Sequence, residues 1–225
     1  MQTVSLVTLQ NQIAAAAGPG REARLLAVSK LQPASAIAAL AAQGQRAFGE
    51  NYVQEAADKV QALAALDLEW HLIGHLQSNK ADIAARIFDW VQTVDRHTLI
   101  GALSRYRPAD RPPLNVLIQV NIDDEASKHG CHPDEVMTLA DAIAAAPGLR
   151  LRGLMAIPAP HPGPAARAAA FSRMKSLQDA LASRHPGIDT LSMGMSDDFA
   201  QAIAHGATMV RIGTALFGAR PVRTA

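Results

Sequence analysis

The run LLAVSK, residues 25 to 30, is apolar until it stops on Lys30. A lysine held where a buried strand leaves the core lies near low-dielectric surroundings. These disfavour the ammonium and pull the pKa below its reference of about 10.4. A neutral amine attacks carbonyls, so Lys30 is a candidate for Schiff-base chemistry. Alone, it would read as a lysine snorkelling from a strand end to solvent. Near the other end of the chain, MVRIGTALFG puts Gly213 and Thr214 in a turn whose backbone donors and hydroxyl suit a phosphate. SMGMSDDF adds the Ser196 hydroxyl at an expected helix start. Capping is an equally good reading of Ser196, and Asp197 and Asp198 beside it suit the positive end of a helix dipole.

Positioning these groups falls to alternating elements. After SLVTLQNQIAAAA, which suits a helix and ends in the breaker GPG, short β-like runs alternate with longer Ala-rich helical ones. Eight strands are expected, at 24–29, 46–49, 68–74, 89–94, 114–121, 149–157, 189–194 and 208–213. Helices are expected at about 33–43, 52–65, 78–87, 96–106, 132–146, 164–184 and 197–205, with Pro33 and Pro133 in first turns. Strands returning through helical crossovers make a parallel sheet, and eight such units fit a closed (β/α)8 barrel. An open doubly wound sheet would want a Gly-rich turn after its first strand, which AVSKLQP lacks. In a closed barrel chemistry gathers at the carboxyl ends of the strands, and phosphates favour the loops after strands 7 and 8. Lys30 follows the first strand, Glu50 and Asn51 the second, His75 the third and Asp95 the fourth. Asn121 and Asp123 follow the fifth, Ser196 the seventh, Gly213 and Thr214 the eighth. The phosphate cradle thus flanks the closing seam next to strand 1. An amine beside such a cradle points to pyridoxal phosphate as cofactor: an aldehyde for the lysine, a dianion for the turn.

Composition narrows the partners. The chain has 225 residues, 49% hydrophobic and 18% charged, enough for one substantial core and read as a single domain over 1–225. A formal charge of +1 with no basic run and few aromatics argues against nucleic acid. No apolar stretch nears the roughly 20 residues of a membrane span, and the start MQTVSLVTLQNQ has no secretory pattern, so a cytoplasmic protein is expected. Cys131, the single cysteine, excludes an internal disulfide and reads as an incidental thiol. His71 and His75 are four apart, but EWHLIGH reads as a strand and its exit, where that spacing is poor for shared ligation. His71 is read as a polar residue filling the barrel, His75 as a possible site wall, and no metal is assigned.

The blocks AVSK, FGENYVQE, EWHLIGHLQSNK, LIQVNIDDEASKHG, LRGLMAIP and LSMGMSDDFAQAIAHGATMVRIGTALFGAR span nearly the whole chain. Together they resemble the pyridoxal phosphate homeostasis protein family, also called the YggS or PROSC family. The resemblance implies one barrel of the alanine racemase N-terminal-domain type, with an extra N-terminal helix. It also implies a role in buffering and supplying vitamin B6 inside the cell rather than a defined catalysis. Carried over by position, Lys30 is the aldimine former and Asn51 lies at the cofactor's edge. Arg211 faces the pyridine nitrogen, and Ser196, Gly213 and Thr214 hold the phosphate. An ordinary ion-pairing arginine in the barrel interior is the less favoured, plainer alternative for Arg211.

The runner-up function is an amino-acid racemase with weak activity. Racemisation needs a proton-transfer group on each face of the α-carbon. In the racemases this chain resembles, the second is a tyrosine from a β-rich second domain, which is not expected after Ala225. Tyr52, beginning a helix beside the site, is the remaining candidate, with Tyr106 more distant. Lys128 in NIDDEASKHG reads as a solvated loop lysine, with a second cofactor-meeting amine as alternative. APHPGPAAR, 159–167, reads as a connection or lid rim. A monomer serving apo-enzymes of the same cofactor is the expected assembly.

Overall fold

The computed structural model describes residues 4–125, 128–159 and 163–218. Helix α1 (Leu6–Ala17) leads. Its spacing of Leu6, Leu9, Ile13 and Ala17 makes one buried face, and Ser5 caps it by accepting from the Thr8 N–H at 3.1 Å. Then come β1 (Arg24–Val28), α2 (Ala34–Ala42), β2 (Ala47–Glu50), α3 (Val53–Ala62), β3 (Glu69–Leu72), α4 (Ala81–Ile87), β4 (Trp90–Val94) and α5 (His97–Tyr106). The second half holds β5 (Leu114–Gln119), α6 (Val136–Ala144), β6 (Leu149–Met155), α7 (Pro164–Arg184), β7 (Thr190–Ser192), α8 (Phe199–Ala204), β8 (Met209–Ile212) and α9 (Thr214–Phe217).

All eight strands are parallel and pair in sequence order, and β8 returns to β1 with Leu26 opposite Arg211 to close a barrel. Side chains alternate across each strand, so one set meets the helices and the other fills the barrel. Phe48, Leu72, Val91, Val116, Leu154 and Val210 belong to the large outer core under the helices. Inside, Leu26, Ala47, Ile73 and Met209 form one apolar cluster, and Trp90, Leu117 and Met155 another. Polar side chains complete the interior: His71, Gln92, Ser192 and Arg211 are all buried. α1 packs on α8 and β1, and the Val4 N–H donates to the Ala215 carbonyl at 2.8 Å, tying the start of the described chain to α9.

The strands are shorter than their apolar runs suggest. LEWHLIG pairs only over Glu69–Leu72 and DTLSMG only over Thr190–Ser192, since residues beyond the ladder turn into loops over the barrel mouth. The expected helix at 132–146 opens as a 3-10 turn, Pro133–Glu135, capped reciprocally by His132 and Glu135. Pro33 is the N-cap of α2, with extended backbone at φ −70° and ψ 154°, rather than a first-turn residue. α9 was not among the expected helices: TALF is too short for periodicity to register. The extra N-terminal helix is present as α1.

Candidate functional site

Lys30, Asn51, Ser196, Arg211, Gly213 and Thr214 line one cavity of about 170 Å³. They come from the exits of β1, β2, β7 and β8, with apolar walls from Val28, Ile73 and Ile157. All six sequence-expected residues are therefore brought together, across the seam where the barrel closes.

Lys30 is half-buried just past the end of β1, and its neighbour has an unusual backbone. Leu31 has φ 62°, a left-handed conformation rarely adopted by a branched side chain. Hydrogen bonds hold the turn on both sides. The Leu31 N–H donates to Glu55 Oε1 at 2.6 Å, and the Ser29 carbonyl accepts from Lys59 Nζ at 2.8 Å. Lys59 also donates to Glu55 Oε1 at 2.6 Å and Glu50 Oε1 at 2.8 Å, and Glu50 Oε1 accepts from Ser29 Oγ at 2.5 Å. Glu50 is 0% exposed. Burial pushes its pKa up, against the opposing pull of Lys59 and Ser29. Glu50 is thus not in the cavity; it anchors an ionic latch behind Lys30. Sequence reasoning collected Glu50 as a strand-end residue and missed Lys59 and Glu55. The spacing of Glu55 and Lys59, four apart in α3, was the available signal.

Asn51 reaches the cavity because Gly74 lets the chain pass: a Cβ on Gly74 would lie 2.1 Å from the Asn51 carbonyl oxygen. Gly213, N-cap of α9, lies so close to β1 that a Cβ there would meet the Val28 carbonyl oxygen at 3.0 Å. Thr214 begins α9, whose first N–H groups have no acceptor within the helix. Ser196 does not cap α8. That helix starts at Phe199, and Asp198 takes the Met195 N–H at 2.6 Å, so the Ser196 hydroxyl is left at the cavity. Loops after β7 and β8 with a short extra helix make the usual phosphate site of such barrels.

Arg211 is 4% exposed and forms no ion pair among the described residues, so the plainer reading of it as an ion-pairing arginine is overturned. Its Nη1 donates to Ser192 Oγ at 2.8 Å and its Nη2 to the Ala156 carbonyl at 2.8 Å. Burial lowers its pKa to about 10, which leaves it a cation at neutral pH. The Ser192 hydroxyl donates to Gln92 Oε1 at 2.7 Å, and Gln92 Nε2 donates to His71 Nδ1 at 2.9 Å. His71 Nε2 lies 2.7 Å from Glu69 Oε1, which also accepts from Arg24 Nη2 at 2.7 Å. Complete burial lowers the His71 pKa, so the ring is neutral and its Nε2–H donates to Glu69. A polar chain thus runs through the barrel interior from the cavity to the opposite end, confirming His71 as interior filling.

Other strand-end residues serve the loops. Asn121 exchanges hydrogen bonds with the Glu125 backbone, and Asp123 accepts from Arg173 and the Ala159 N–H. Lys128 pairs with Glu125 at 3.4 Å and donates to the Ile157 carbonyl at 3.4 Å, at the edge of the cavity rather than within it. Cys131 is buried, and burial raises its thiol to about 12, so it is inert at neutral pH. Tyr52 is 58% exposed and faces a separate outer cavity with Leu31 and Pro33; Tyr106 ends α5. His75 does not meet His71. It stacks on His129, and its pKa is lowered by partial burial and that neighbour. Residues 160–162 of the expected lid rim lie outside the described residues, and Pro164 already begins α7.

The alanine racemase N-terminal domain family matches residues 4–221. A pyridoxal phosphate homeostasis protein of Escherichia coli K12 is 54% identical over 96% of this chain and 95% of its own length. The chain belongs to the pyridoxal phosphate homeostasis protein family. A Pseudomonas aeruginosa PAO1 member is 56% identical over 87% of this chain and 84% of its own. PipY of Synechococcus elongatus PCC7942, solved without PLP, superposes with a TM-score of 0.86 at 38% identity, covering 95% of this chain and 98% of PipY. Its structure with PLP bound gives 0.81 at 37%. An alanine racemase from Corynebacterium glutamicum, 21% identical with a TM-score of 0.68, shares the barrel; this chain spans 66% of that one. Among the described residues no helix is long and apolar enough to cross a membrane.

Proposed function

We propose that this protein binds pyridoxal 5'-phosphate at Lys30 and serves its homeostasis and supply, without running a defined catalytic turnover. The observation carrying this reading is the cavity in which a half-buried lysine, a buried arginine without an ion pair among the described residues, and the Ser196–Gly213–Thr214 cradle converge. The residues fit the group. The cradle offers hydroxyls and backbone donors for a phosphate, and Arg211 offers N–H to a ring nitrogen. When bound, the cofactor supplies an aldehyde carbon open to amine attack. Lys30 would supply the attaching amine, with the turn that carries it held by the latch on Ser29 and Leu31, and Asn51 would line the same cavity.

Arg211 can only donate, so it would keep a pyridine nitrogen placed against it unprotonated and weaken the ring as an electron sink. That suits carriage. The racemase reading lacks its second base: neither tyrosine lines the Lys30 cavity. The reading extends to a monomeric, cytosolic carrier that passes cofactor to apo-enzymes. Its test is reduction of the loaded protein with borohydride and peptide mapping. The modification is expected on Lys30 and absent from Lys30→Ala; a label elsewhere, such as Lys128, sinks the assignment. With L-alanine in deuterated water the loaded protein should show no sustained α-proton exchange, and exchange at enzymatic rates would restore the racemase.

A further inference from the structure

Across the barrel mouth from Lys30, three loops bring His75, Asp95 and His129 together. One ligand atom from each lies within 4.8 Å of the other two. The imidazoles are stacked, centroids 3.8 Å apart and 16° between planes. Their neighbourhood differs from that of His71, which commits both nitrogens to Glu69 and Gln92. Among the described residues, the ring nitrogens of His75 and His129 make no hydrogen bond to protein. Asp95 gives only Oδ1, accepting from Arg96 Nη1 at 2.6 Å, and its second oxygen is uncommitted among the described residues. Arg96 is itself held by the Leu76 carbonyl at 2.9 Å, so the carboxylate is oriented by a fixed partner. The contact is also an ion pair, so a bound metal would share the Asp95 carboxylate with a fixed guanidinium and take its second oxygen.

We infer that His75, Asp95 and His129 form a binding site for a borderline divalent transition metal such as Zn²⁺. Two imidazole nitrogens and one carboxylate oxygen match the preference of Zn²⁺, Co²⁺ and Ni²⁺, and not that of Mg²⁺ or Ca²⁺, which take oxygen. Bond lengths of about 2.0–2.2 Å place ligand atoms roughly 3–3.5 Å apart around such an ion. The stacked rings hold their lone pairs in nearly parallel planes, so the two exposed imidazoles must rotate out of the stack to converge on one ion. Three protein ligands leave a fourth position to water. The ion would tie the exits of β3 and β4 to the loop after β5, beside Lys128 and the Ile157 wall of the cavity.

The test uses tag-free, full-length protein freed of metal with a chelator. Zn²⁺ is titrated in competition with a chromogenic indicator, and Co²⁺ is followed by its visible ligand-field absorption. One equivalent of each is expected to bind. Affinity should fall at least tenfold in H75A and in H129A, while H205A, altered at a histidine on α8's C-cap, binds as the unaltered protein does. Circular dichroism in chelator checks that each variant is folded; H75Q and H129Q serve if an alanine variant is not. Absence of a saturable site, equal binding by Mg²⁺, or unchanged affinity in the His75 and His129 variants would overturn the inference.

Discussion

Lys59 donates three hydrogen bonds from a position 7% exposed, and two of its acceptors are carboxylates with Glu50 completely buried. Removing one partner of a buried pair strands the other charge without solvent or counter-charge, and that is where the energetic effect lies. Lys59→Met should therefore destabilise the fold by about 3–5 kcal/mol in urea unfolding, whereas Glu50→Gln, which leaves Lys59 paired with Glu55, should cost less. Glu50 Oε2 has no hydrogen-bond partner among the described residues, so the latch is incompletely satisfied even in the intact protein. Its position explains why it is tolerated: the same groups hold the Ser29 and Leu31 backbone around Lys30, including the left-handed turn at Leu31.

At the level of elements, the site is built by how closely two strand exits approach. β2 and β3 run parallel with Glu50 opposite Leu72, and just beyond the ladder Gly74 passes against the Asn51 backbone. A methyl group placed 2.1 Å from a carbonyl oxygen cannot be absorbed by rotating a side chain; the backbone must move. Gly74→Ala is expected to cost about 1–3 kcal/mol by overpacking and to displace Asn51. Equilibrium dialysis of pyridoxal phosphate should show weaker binding, with the barrel's far-UV circular dichroism retained.

The whole barrel carries its polar interior from Arg211 to Glu69, and this couples its stability to pH. Burial opposes ionisation of Glu69, but the hydrogen bond from His71 and the charge and hydrogen bond of Arg24 outweigh it and lower its pKa. A carboxyl depressed on folding adds stability above its unfolded value of 4.5 and loses it as pH falls below that value toward its lower folded one. His71, kept neutral by burial, gives the same sign from higher pH: below 6.5 the unfolded chain takes up a proton that the folded chain refuses. Urea midpoints should fall in two stages, one beginning near pH 6.5 and one near 4.5. Glu69→Gln should remove most of the lower stage and keep the upper; a single unchanged transition in that variant would refute the assignment. Because Glu69 is 31% exposed, solvent screening makes its stage shallow.

The eight apolar runs and the Ala-rich segments between them were enough to specify a parallel barrel, because burial on both faces of a strand and the need for a crossover are local demands written in hydrophobic spacing. The rule that barrel chemistry sits at strand exits then located Lys30, Asn51, Ser196, Gly213 and Thr214, and family motifs added Arg211. What spacing could not reveal was which strand-end polar groups turn inward. Glu50 precedes Asn51 by one residue yet lies outside the barrel, since adjacent residues in a strand face opposite ways and the register of that alternation is set by the closed ladder. Lys59, Gln92 and Ser192 join the Lys30 and Arg211 networks from 29, 119 and 19 residues away in sequence. Such partners have no local signature. His75, Asp95 and His129 likewise meet only because closure brings three loops to one rim. Long-range pairing of polar groups depends on where the backbone carries them, and that is decided when the barrel closes.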